Sequence, residues 1–149
     1  MSMGDIVVWE MEPHEEKSVK ALFQRVYEDT FSATAPVFDS AVQGERIYVA
    51  LYKRQLAGIA AVWEPDAFIH YLFVDQNVRH KGVGRAITEA LAKSYNKPLT
   101  LKCLTENTEA MAFYRKTGWQ VAETGRSREG TYVLLRYDPA ASPHISVNR

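Results

Sequence analysis

The chain has 149 residues, 46 % hydrophobic and 24 % charged, which fits one globular domain with a sizeable core. Its 18 basic and 18 acidic residues cancel, so nothing in the net charge points to nucleic acid as a partner. The one cysteine, Cys103, excludes an intramolecular disulfide, and with no His or Cys at ligand spacing no metal is expected.

No apolar run reaches the roughly 18 residues that a spanning helix needs, so no membrane partner is expected. Met1–Met11 has neither the basic start nor the apolar stretch of a signal peptide, which leaves the cytoplasm as the default compartment. The charge is unevenly spread. Residues 1–40 hold eight acids against Lys17, Lys20 and Arg25. Residues 75–102 hold Arg79, Lys81, Arg85, Lys93, Lys97 and Lys102 against Asp75 and Glu89. That pattern suits an anion site in the second half and a surface tolerant of cations in the first.

In chain order, Ile6–Trp9 reads as a first strand. Pro13 opens a helix with Glu15 and Glu16 in its first turn, and Val19, Leu22, Phe23 and Val26 follow at helical spacing to an end near Thr30. Residues 31–46 fit a loop or a short helix equally well. Ile47–Tyr52 and Leu56–Trp63 form a hairpin around Lys53-Arg54-Gln55, and Glu64-Pro65-Asp66 is a turn. Ala67–Val74 is an almost continuously apolar strand. Val83, Ala86, Ile87, Ala90 and Leu91 mark an amphipathic helix that Asn96-Lys97-Pro98 stops. Leu99–Leu104 is a strand, Asn107 caps a helix from about Thr108 to Thr117, and Gly118 follows it. Strands Trp119–Glu123 and Thr131–Tyr137 close the order around a Gly125–Gly130 turn. The sequence predicts one α/β (α+β) domain over residues 1–138 and a loose tail over 139–149.

The most informative segment runs from Leu72 to Arg85. A strand ends, a loop turns, and Gly82 and Gly84 open a helix beside Arg79, Lys81 and Arg85. Free N–H groups at a helix start favour an anion, and glycine lets a phosphate approach the backbone. A side chain at Gly82 is therefore expected to disturb the ligand more than the fold. The run is neither a Walker loop nor a Rossmann fingerprint, because no Gly-Lys-Ser/Thr follows and Ile87 stands where a third small residue is needed. A plain helix start remains the competing reading of Gly-x-Gly alone.

A second segment lies one strand later: Asn107, Ala110, Phe113, Tyr114, Gly118 and Trp119. With Arg79-His80-Lys81-Gly82-Val83-Gly84 it resembles the GNAT superfamily of acyl-CoA-dependent N-acyltransferases, and the order of elements matches from Ile6 to Tyr137. The resemblance implies a mixed, mostly antiparallel central sheet with a splayed parallel pair and helices on both faces. It implies transfer of the acetyl group of acetyl-CoA to a primary amine, on a small molecule or a protein, by direct attack in a ternary complex. A homodimer is compatible with it. A non-catalytic acyl-CoA sensor or interaction module is the alternative.

By the same resemblance, backbone groups of Leu72, Phe73 and Val74 hold the pantetheine arm. Residues Arg79, His80, Lys81, Gly82, Val83, Gly84 and Arg85 cradle the pyrophosphate, and Asn107 holds the arm, caps its helix, or does both. Tyr114 is the general acid for the leaving thiolate; core packing of the same helix face is the competing reading. His70, which strand alternation groups with Phe68, Leu72 and Val74, is the first candidate for the base that deprotonates the amine. Glu28, Glu64 and a water chain are the others. Cys103 reads as a buried small hydrophobe.

Overall fold

The computed structural model describes residues 5–139 of the chain. The tail expected beyond Pro139 lies outside that range. The described residues divide into two compact units. The first holds everything to Glu64 and Ile69–Ala90; the second holds Pro65–Phe68 and everything from Leu91.

In the first unit, strand β1 (Ile6–Glu10) pairs antiparallel with β2 (Arg46–Tyr52), and β2 with β3 (Gln55–Trp63). Strand β4 (Phe68–Val74) lies next to β3. Helix α1 (Glu16–Phe31) follows a 3-10 turn at Pro13–Glu15 and stops at Ser32, whose left-handed φ of 50° ends the ladder. Its buried stripe is Val19, Leu22, Phe23 and Val26. Each such side chain contributes on the order of 1.5–3 kcal/mol by leaving water. The stripe packs with Val49, Ile59 and Phe73, so Ile59 faces α1.

Gly58, the neighbour of Ile59, points the other way. A Cβ there would lie 3.0 Å from the Phe73 carbonyl oxygen and 3.1 Å from both Val83 and Ile87 of α3 (Val83–Ser94). Successive strand residues face opposite sides, so α1 and the start of α3 cover opposite faces of this sheet. A side chain at this position would press on the start of α3, so the glycine lets α3 sit close to β3.

The 31–46 segment, readable either way in the sequence, holds the short helix α2 (Phe38–Ala41), with Phe38 buried edge-on to Phe23 at 5.2 Å.

In the second unit β5 (Leu99–Leu104) pairs antiparallel with β7 (Gly130–Tyr137), and β7 with β6 (Gln120–Ser127). The Gly125–Gly130 turn of the sequence reading is therefore tighter than expected: β6 continues to Ser127, and Gly130 already begins β7. Phe68, the first residue of β4, registers in parallel with Thr100 of β5. Helix α4 (Thr108–Lys116) starts where the Asn107 carboxamide oxygen accepts the Ala110 N–H at 3.2 Å, and Gly118 follows its end at φ 100°. The strand order is β1-β2-β3-β4-β5-β7-β6, and the sheet is mixed, as the sequence reading implied. Among the described residues no helix is long and apolar enough to cross a membrane.

Candidate active site

The turn from β4 into α3 is built within the first unit. Asp75 follows the last residue of β4. Its N–H donates to the Ala57 carbonyl at 2.8 Å, and its carboxylate accepts the Asn77 N–H at 3.0 Å and meets Arg25 of α1 at 2.7 Å. A 3-10 turn over Gln76–Val78 comes next. Arg79 folds back, with Nε and Nη2 both 3.4 Å from the Val74 carbonyl, so this cation braces the loop.

His80 and Gly82 have left-handed φ values of 66° and 90°. Helix α3 then begins, with the Gly82 carbonyl accepting the Ala86 N–H at 3.0 Å. The first-turn N–H groups of Val83, Gly84 and Arg85 have no acceptor within the helix by its geometry. Lys81 and Arg85 are exposed beside them, and residues 79–85 include no carboxylate. The segment thus presents N–H groups, a helix dipole and cations on neighbouring residues, an arrangement that suits an anion. The φ of Gly82 corrects one expectation: a side chain there strains the backbone itself, so the position is not a neutral probe of the ligand.

His70 of β4 is 41 % exposed, while Ile69 and Phe73 are buried. Neighbours on a strand normally face apart, yet the His70 ring stacks on Tyr71 at 4.2 Å. Its Nδ1 also lies 2.9 Å from Oε2 of Glu45. Tyr71 in turn packs edge-on against Phe23 at 4.9 Å. Burial, then Tyr27 and Glu45, push the Tyr71 phenol above its usual range. The other base candidates are engaged: Glu28 accepts the Ala35 N–H at 3.1 Å, and Glu64 meets Arg46 at 2.7 Å.

In the second unit Tyr114 of α4 is 8 % exposed and edge-on to Trp119 at 5.5 Å, and Trp119 lies tilted against Tyr137 at 5.4 Å. Burial, with a smaller effect from Cys103, pushes its phenol well above the ordinary value, so the proton stays on at neutral pH. Cys103 is buried, and burial lifts its thiol to about 11. At neutral pH it is a protonated, poor nucleophile. Among the described residues no cluster of His, Cys, Asp or Glu could hold a metal.

Residues 43–121, more than half of the chain, match the family described as acetyltransferase (GNAT) domain. The chain belongs to that family. It is an acyl-CoA-dependent N-acetyltransferase, which moves the acetyl group from acetyl-CoA to an amine. A relative from Pseudomonas phage PaMx11, a 5-NmdU N-acetyltransferase, is 28 % identical over 84 % of this chain and 94 % of its own. The peptidyl-lysine N-acetyltransferase YjaB of Escherichia coli is 45 % identical over a shorter stretch, 38 % of this chain and 36 % of that one. Among solved structures, yncA of Salmonella typhimurium with its cofactor acetyl-CoA superposes with a TM-score of 0.67 at 12 % identity, covering 93 % of this chain and 98 % of that chain.

Within this GNAT chain the loop residues of the sequence reading come together in one turn, and His70 stands on the strand that leads into it. Asn107 does cap α4, one of the two roles read for it. Glu45 was missed. It sits in the ambiguous 31–46 segment, 25 residues before His70, and no local spacing signals their contact.

Proposed function

We propose that the chain acetylates a primary amine by direct attack on acetyl-CoA in a ternary complex, with the β4–α3 turn as the cofactor's anchor. The observation that carries this reading is the cradle at Gly82–Arg85, where N–H groups and exposed cations converge without a carboxylate. The pyrophosphate would lie against those N–H groups, with Arg79 fixing the loop and His80, Lys81 and Arg85 around it. Strand β4 has one edge taken by β3. Backbone groups of Leu72, Phe73 and Val74 on its other edge would pair with the pantetheine arm, and an N–H there would meet the developing oxyanion. His70 would take the proton from the amine and Tyr114 would give one to the departing thiolate. The protonated state of Tyr114 supports that role, and the poor nucleophilicity of Cys103 supports direct attack over an acyl-cysteine.

The family match spans residues of both compact units, which supports reading residues 1–138 as one functional domain. The acceptor is a small molecule or a protein amine: one relative is named for 5-NmdU and another for peptidyl-lysine. The acidic N-terminal half favours a cationic acceptor. We keep the cytoplasm as its compartment by default.

The test is a panel of amines assayed with acetyl-CoA by release of free thiol. At least one nucleoside amine, peptide lysine or small polyamine should release thiol and gain an acetyl group. Binding of acetyl-CoA with no acetylated amine anywhere in the panel would count against the proposal.

A further inference from the structure

The Glu45–His70 contact has the geometry of an oriented acid–base pair. His70 Nδ1 is 2.9 Å from Glu45 Oε2, and an ionised carboxylate only accepts hydrogen bonds. The neutral imidazole beside it must therefore carry its proton on Nδ1. Its basic lone pair is then on Nε2. We propose that Glu45 is the positioning residue for the acceptor's base: it fixes this tautomer of His70 and stabilises the imidazolium formed when Nε2 takes a proton from the acceptor ammonium. The inference rests on the reading of His70 as that base.

Three features of Glu45 support the assignment. Its side chain is only 10 % exposed, and its second oxygen, Oε1, is buried without a hydrogen-bond partner. A buried carboxylate with an unsatisfied oxygen is costly, and a cation forming alongside offsets part of that cost. The mount is also rigid. The Glu45 N–H donates to the Val42 carbonyl at 2.9 Å, and the next residue, Arg46, is held by Glu10 at 2.6 Å and Glu64 at 2.7 Å. On the other side, the stack of Tyr71 on the His70 ring limits its rotation. A purely structural surface ion pair needs neither burial of one partner nor a ring clamp on the other.

The step balances without another reagent. An ammonium N–H bond breaks and an Nε2–H bond forms, which frees the nitrogen lone pair. That pair bonds to the thioester carbon, the C–S electrons leave with sulfur, which takes a proton, and the nitrogen gives up its second proton to become the amide. Ammonium and thioester give amide, free thiol and one proton, and the proton passes to solvent.

The experiment combines imidazole 15N NMR of the full chain with kinetics at saturating acetyl-CoA, using the best amine from the panel. The His70 signals are assigned by their loss in His70→Gln. Wild-type neutral His70 should show a protonated Nδ1 and an unprotonated Nε2, and Glu45→Ala should restore the Nε2–H form. His70→Gln and Glu45→Gln should each lower kcat/KM, by on the order of 10²-fold for the loss of the base. Glu45→Gln in the His70→Gln background should cost nothing more, as expected of residues acting as one unit. An Nε2–H tautomer in the wild type, or equal losses from Glu45→Gln with and without His70, would overturn the pair. Unchanged kcat/KM in His70→Gln would overturn the base reading and the pair together. The wild-type spectrum needs no variant to fold, and the isosteric Glu45→Gln is the variant that keeps the packing.

Discussion

Arg25 Nη2 lies 2.7 Å from Asp75 Oδ2, and the two come from positions 50 residues apart. Asp75 also caps the turn after β4, so one carboxylate fixes both the entry to the β4–α3 loop and its attachment to α1. The cap contributes about 1 kcal/mol, while the pair, with Arg25 half exposed, adds less than about 1 kcal/mol. Asp75→Ala should lose about 1–2 kcal/mol in urea denaturation and weaken acetyl-CoA binding. Asp75→Asn keeps an acceptor for the Asn77 N–H and should lose less of both. Equal losses from the two variants would show that the charge, not the cap, holds the loop.

The cradle can be tested without touching Gly82. Lys81 and Arg85 are exposed, so their removal should leave the melting temperature unchanged. Lys81→Ala with Arg85→Ala should weaken acetyl-CoA roughly tenfold in calorimetry at low salt, from two exposed charge contacts of up to about 1 kcal/mol each. Wild-type affinity should fall with added salt, and the double variant's should fall less, because screening acts on the charges that the variant lacks. Gly82→Ala should instead lower stability by on the order of 1–2 kcal/mol, since φ 90° is a left-handed conformation that L side chains resist. Adenosine, which has no phosphate, should stabilise none of these proteins.

Cys103 and Tyr114 make alkaline stability a probe of the second unit. Burial raises both groups, Cys103 from 9.0 to about 11 and Tyr114 above its ordinary 10.0. Each therefore holds its proton more tightly folded than unfolded. As pH rises, the unfolded chain loses these protons first, so stability is full below about pH 9 and declines as pH climbs through 11. Melting temperatures between pH 8 and 11 should show that decline, and Cys103→Ala should flatten its lower part. The same variant should keep its turnover, as direct attack requires. A Cys103→Ala protein that binds acetyl-CoA but cannot transfer would restore the acyl-cysteine route.

Much of this architecture was legible because local signals agreed. The stripe of Val19, Leu22, Phe23 and Val26 fixed α1, Asn107 and Gly118 bracketed α4, and the glycines after β4 marked the loop. What escaped was set by contacts distant in the chain. The return of Arg79 onto Val74, only five residues back, is the local exception, since it depends on the loop's path, which composition does not encode. Residues 31–46 carry only one short helix, held by the burial of Phe38 against Phe23 and not by its own periodicity. Glu45 lies just before β2, and its contact with His70 of β4 joins positions 25 residues apart. Alternation alone put His70 away from Tyr71, whereas its ring stacks on Tyr71 and contacts Glu45 from outside the strand.

Tyr114→Phe separates acid catalysis from packing. The sequence left two readings, a core aromatic and an acid, and burial at 8 % exposure beside Trp119 satisfies the first without excluding the second. Phenylalanine keeps the ring, its edge-on contact and most of its buried area. The melting temperature should therefore change little, and acetyl-CoA should bind as before. If the phenol protonates the departing thiolate, kcat should fall by on the order of 10²–10⁴. The raised phenol supports this role in one respect, since a group that keeps its proton at neutral pH is available as an acid, and opposes it in another, since a weaker acid gives the proton up less readily. A thioester with a more acidic thiol resolves the two. That thiolate leaves without help, so the gap between Tyr114→Phe and wild type should narrow. A gap that stays the same with both thioesters would mean that the hydroxyl positions the substrate and transfers no proton, and an absent gap would leave Tyr114 as a packing residue alone.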